Sequence, residues 1–152
     1  TITRQDVIEL YDLRAAIESY AARRAVSSIS EEEISSLRER QRLAHERANS
    51  DSAAAADAFF HADLALHEIL QKRGGNRRSV RLLADVMGQL SLLSLRAALT
   101  PDSRLAAIAE HQRILDALAR QEAGAAAEAM EDHIEAVKNR SLADLERLHV
   151  GT

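Results

Sequence analysis

Apolar residues recur along this chain at intervals of three and four, the period of helices with one buried face, and no segment alternates as a half-buried strand would. Val7, Leu10, Tyr11, Ile17 and Ala21 predict a first helix over about residues 3–27. Ser30 and Glu33 are a capping-box pair, able to satisfy each other's orphan amides, and they open a second helix that ends near residues 49–50. Its stripe of Ile34, Leu37 and Ala44 is thin, which places this helix on the outside. A third helix begins near Asp51, carries Phe60, Leu64 and Ile69, and stops at Gly74-Gly75. The fourth, over about 76–99, is apolar on more than one side, with Val80, Leu83, Met87 and Leu90 followed by Leu92, Leu93, Leu95 and Leu99. Such a helix is central or forms a subunit interface. Thr100 as N-cap and Pro101 at the first helical position open a fifth helix that reaches about Arg120. A weakly marked turn at Gln121-Glu122 leads to a last helix ending near 148. The expected fold class is all-α, with about six helices, seven at most.

Composition narrows the function more than the fold. A chain of 152 residues is one domain by length and can bury a core. One proline, five glycines and abundant alanine favour helix throughout. Aromatic residues make up only 3% of the chain, which argues against a stacking platform for single-stranded nucleic acid. A net charge of −4 argues against gripping a phosphate backbone unaided. The chain has no cysteine, so it has no disulfide, thiolate nucleophile or thiolate zinc site. A cysteine-free chain is compatible with the reducing cytoplasm, the expected location. No signal peptide is visible, and no apolar run is long enough to span a bilayer, so no membrane partner is expected.

The candidate chemistry lies in polar residues on apolar stripes. Asp57 and His61, four apart, project from one face of the third helix, as a pair of metal ligands must. His111 sits among Ala107, Ile108, Ile114 and Leu115, and His133 among Ala129, Met130, Ala136 and Val137. Neutral imidazole and carboxylate suit zinc, nickel, iron(II) or manganese. Asp57, His61, His111 and His133 therefore make one candidate site, against the plainer alternative of hydrogen-bonded core histidines. Arg14 shares its stripe with Val7, Leu10, Tyr11 and Ile17. An inward guanidinium demands an anion, either Glu18 or Glu110 of the protein or a bound acid. His67 lies six residues beyond His61, about 240° around the helix, and is expected to miss the site. His45 and His149 are expected to be solvated.

An ordered set of short motifs runs through these residues: Leu10-Tyr11-Asp12-Leu13-Arg14 with Glu18, Asp57-Ala58-Phe59-Phe60-His61, Gly75-Asn76, Glu110-His111-Gln112-Arg113-Ile114-Leu115, and Met130 with His133. The set resembles the FCD domain, the ligand-binding half of FadR-type regulators in the GntR family. The resemblance implies an antiparallel helical bundle, spanning 1–152 as a single effector-binding and dimerisation domain. It implies a homodimer that senses a small carboxylate and signals to a winged helix-turn-helix, so that DNA is a partner only through a domain outside this chain. In metal-binding members the ligands fall on Asp57, His61, His111 and His133, with zinc the first choice of divalent metal ion. Arg14 is the expected contact for the effector carboxylate, with Arg96 and Arg104 as further candidates at the pocket rim. Where that family often has a Gly-Asp turn before the last helix, this chain has Gln121-Glu122.

Two other readings stay open on the sequence. A helical metalloenzyme could use the same four ligands to activate water, although no general base stands out: Glu110 points about 100° from His111 on the same helix, and Asp63 has no evident role. A purely structural module, with no ligand at all, is the other. The expectation is a sensor, not an enzyme.

Overall fold

The protein, seen in a computed structural model that describes residues 2–150, is an all-α bundle. Six helices occur among the described residues: α1 (Arg4–Ala25), α2 (Glu31–Arg47), α3 (Ala53–Gly74), α4 (Arg77–Ala97), α5 (Pro101–Ala119) and α6 (Ala123–Val150). Each start has a local cause. Ser30 and Glu33 close the capping box expected of them, and Thr3 with Asp6 and Asn76 with Ser79 close two more. Ser52 and Thr100 cap α3 and α5, and Pro101 occupies the first turn of α5. The weakly marked turn is real as well. The amides of Gln121 and Glu122 bond back to Leu118 and Ala117, and Gln121 takes φ 57°, the left-handed geometry that ends a helix in a Schellman motif.

Helix contacts run in a closed ring: α1 against α6, α6 against α5, α5 against α2, α2 against α3, and α3 back against α1, with α4 laid over α1 and α6. The main core inside the ring is built on Val7, Leu66, Leu70, Ile114, Leu118, Met130 and Ile134. A smaller apolar cluster joins Ala44, Phe59, Ala62, Ala107 and Ile108. Helix α2 buries only Ile34, Leu37, Gln41 and Ala44, so it is peripheral as expected. Helix α4 buries Val86, Leu90 and Leu93 against α1 and α6, while Leu92 and Leu95 on its other side are exposed, as is Leu99, which lies just beyond the helix end. Tyr11 fastens the α4 side: its hydroxyl bonds Ser141 at 2.8 Å and Ser94 at 3.1 Å, joining three helices through one buried atom. No helix among the described residues is long and apolar enough to cross a membrane.

The inward face of α3 differs from the expected one. Phe59, Ala62, Leu66 and Leu70 are buried, whereas Phe60 and Ile69 are only half-buried and Leu64 is 56% exposed. The helix is turned so that Phe59, Ala62, Leu66 and Leu70 face the core, with Phe60 at its margin and Leu64 toward solvent. This rotation decides which of its polar residues enter the interior.

Candidate metal centre

Four side chains from three helices converge at the middle of the ring. Asp63 and His67 come from α3, His111 from α5 and His133 from α6, and each offers one ligand atom within 4.8 Å of the others. His111 Nε2 lies 3.2 Å from His133 Nε2 and 3.2 Å from Asp63 Oδ1. His67 Nε2 lies 3.4 Å from the same Asp63 oxygen. Ligands about 2.0–2.1 Å from a tetrahedral cation stand roughly 3.3 Å apart, so these separations already fit one ion.

The histidine orientations are fixed from behind. Gln41 of α2 donates its amide to the Ala62 carbonyl at 3.2 Å, which leaves its Oε1 to accept from His111 Nδ1 at 3.1 Å. His133 Nδ1 donates to Glu110 at 2.6 Å, and Arg140 grips that same carboxylate with two bonds of 2.8 Å. His67 Nδ1 donates to Glu18 of α1, whose other oxygen accepts from Arg14 at 2.6 Å. With each Nδ1 held by an oxygen acceptor, the three Nε2 atoms turn toward Asp63. Among the described residues, His67 Nε2 has no hydrogen-bond partner.

Charge follows the same geometry. Burial drives the His111 and His133 imidazoles below their ordinary pKa, His133 to about 3, despite the acidic groups beside them. Burial opposes a second proton on His67 too, but Glu18 and Asp63 outweigh it and raise that pKa to about 10. Burial would likewise raise Glu18 and Glu110. His67 and Arg14 bring the first down to about 2, and Arg140 and His133 bring the second to about 2. With His111 and His133 neutral and Asp63 a carboxylate, the cluster attracts a positive charge. A proton on His67 meets that demand only in part, and a divalent cation suits the whole donor set.

Beside the cluster a cavity of about 270 Å³ opens under α4, bordered by Arg14, Phe60, Asp63, Met87, His133 and Arg140 among others. Arg14 spends its Nε on Glu18, and its terminal nitrogens have no hydrogen-bond partner among the described residues.

The expected site residues divide. His111 and His133 are buried and converge, and Arg14 borders the cavity while also making the Glu18 ion pair. Asp57 and His61 are exposed on the outer face of α3 and stand outside the cluster. The chain contains this spacing of four twice, six residues apart, and the copy that turns inward is Asp63 and His67. The expectation that His67 misses the site is thereby corrected. The usable signal was the alternative stripe of Phe59, Ala62, Leu66 and Leu70, which flanks Asp63 and His67. Arg104 is also corrected: its guanidinium is buried on the carbonyls of Ala48, Ser50, Ala98 and Leu99, tying the ends of α2 and α4 to α5. Arg96 pairs with Asp144 at 3.2 Å in a separate surface depression and does not border the central cavity. His45 is exposed as expected, and the side chain of His149 lies outside the described residues. Gln41, Glu110 and Arg140, which orient the imidazoles, carried no signal as a set in the sequence, because they come from three different helices.

No match is found among curated proteins. The sequence profile of the FCD domain matches residues 9–136, a span that contains all four converging side chains together with Arg14, Glu18, Gln41 and Glu110. The chain belongs to the FCD domain family.

Proposed function

We propose that this domain is the effector sensor of a GntR-type transcription regulator, with a divalent cation held by Asp63, His67, His111 and His133 and a small carboxylate effector bound beside it. One observation carries the metal half of this reading: three imidazoles, each held through Nδ1 by a separate oxygen acceptor, aim their Nε2 atoms at one carboxylate. Zinc is the first choice on donor type, with nickel, iron(II) and manganese next. A bound cation would supply a Lewis-acid position for a carboxylate oxygen. Arg14 would hold the second oxygen through its terminal nitrogens. The regulatory character of the family favours a sensor over an enzyme, and so does the disposition of acids. Glu18 and Glu110 are each engaged by an arginine and a histidine, which leaves neither free as a general base.

The test is cation binding followed by calorimetry on the metal-free protein. Wild type is expected to take up one zinc or nickel per chain, and His111→Ala to lose it. Glu110→Ala, which removes only the support behind His133, is expected to weaken affinity about 10–100-fold. Wild-type affinity in His111→Ala would refute the ligand set.

The same reading includes a homodimer and a DNA-binding domain joined to this one. The exposed Leu92 and Leu95 on α4, with Leu99 just beyond its end, support an interface there, since exposed apolar side chains favour cover. Leu95 also borders the central cavity, so an effector would touch the helix that carries the interface. Leu92→Glu is expected to shift the protein from dimer to monomer in analytical ultracentrifugation. An unchanged sedimentation coefficient would move the interface elsewhere.

A further inference from the structure

Charge around the metal centre restricts the effector beyond its being an acid, an inference that rests on the metal-centred reading above. Arg14 is neutralised by Glu18 at 2.6 Å and Arg140 by Glu110 through two 2.8 Å bonds. His111 and His133 are buried among apolar side chains, and as ligands all three imidazoles are neutral. What remains is the single negative charge of Asp63 against the two positive charges of a divalent cation. One positive charge is left over, and it is matched by one monoanion.

The rest of the cavity reinforces this limit. Beyond Arg14, Asp63, His133 and Arg140, its lining is apolar apart from the hydroxyls of Ser91, Ser94 and Ser103, and Ser94 is already bonded to Tyr11. Phe60, Met87, Leu95 and Val137 offer no partner to a second carboxylate. A dicarboxylate would bury a second charge against these groups and reverse the sign of the site, a cost that hydroxyl groups alone do not offset. A space of about 270 Å³ equals the share of about nine waters, enough for a short acyl chain. We infer that the effector is a short-chain monocarboxylate with an apolar tail, whose single carboxylate meets the cation and Arg14 while the tail lies against Phe60, Met87, Leu95 and Val137.

The test uses zinc-loaded protein and three probes of equal carbon number, pentanoate, glutarate and 1-pentanol, titrated by calorimetry at fixed pH and ionic strength. Pentanoate is expected to bind at least about tenfold more tightly than either of the others. Ser91, exposed on α4 at the cavity, provides a reversal that leaves every ligand and its support intact. Ser91→Lys adds one positive charge and is expected to improve glutarate binding more than pentanoate binding. Glutarate binding equal to or tighter than pentanoate in the wild type overturns the inference, as does the absence of pentanoate binding to protein that has taken up zinc. Failure to take up zinc would instead count against the metal centre itself, so the two failures are distinguishable.

Discussion

Loading the metal-free protein with zinc or nickel is expected to raise its melting temperature by roughly 8–16 °C. Binding to the folded state alone, at a free cation concentration about a thousandfold above the dissociation constant, stabilises by about 4 kcal/mol. For a chain of this size each kcal/mol corresponds to roughly 2–4 °C. The size of the effect follows from how the site is built. Its four ligand atoms come from α3, α5 and α6, and the groups behind them come from α1, α2 and α5, so the whole ring is tied to one point. Without the cation, the Nε2 atoms of His111 and His133 face each other at 3.2 Å. The cation meets these four ligands together only in the folded state and has no preformed site in the unfolded chain. Differential scanning calorimetry with and without chelator measures it. Superimposable melting curves would eliminate the site.

The second large effect is expected from a single methyl group far from the ligands. Gly74, in the last turn of α3, packs so tightly on α1 that a Cβ built there would lie 1.8 Å from the Ala21 carbonyl oxygen and 2.7 Å from the Ala25 amide nitrogen. Both obstacles are backbone of the C-terminal turns of α1, so no side-chain rotation relieves them. The close approach is also used: Arg24 donates to the Gly74 carbonyl at 2.8 Å and Ser28 to the Arg73 carbonyl at 2.8 Å, satisfying the open end of α3. Gly74→Ala must push α1 and α3 apart, at an expected cost of about 3 kcal/mol, seen as a lower urea midpoint with an unchanged slope. Because Glu18 of α1 orients His67 of α3, the same substitution is expected to weaken cation binding as well. A variant as stable as the wild type would show that the two helices tolerate separation there.

Much of the fold was legible residue by residue because its signals are local. Ser30 with Glu33 and Thr100 with Pro101 place two helix starts, and the Gly74-Gly75 pair ends α3. His111 and His133 were legible for a related reason, each being a polar residue inside an unbroken apolar stripe. Arg104 fits the same pattern and was misjudged, because a buried guanidinium can be satisfied by backbone carbonyls as well as by an anion. Arg14 did both things at once, pairing with Glu18 and leaving its terminal nitrogens toward the cavity.

Sequence alone therefore determined the helices, their order, and the inward position of two histidines, since each depends on neighbours within four residues along the chain. It also supplied two Asp-x3-His pairs on α3, with apolar residues beside both. Which pair faces the ring was decided only by tertiary structure, where α1 and α2 pack on the face of Phe59, Ala62, Leu66 and Leu70 and leave Asp57, His61 and Leu64 to solvent. The physical reason is that helical periodicity fixes which residues share a face, whereas the burial of that face depends on the surfaces other helices bring to it. Gln41, Glu110 and Glu18 belong to the site for the same reason, because only the closed ring brings them behind the imidazoles.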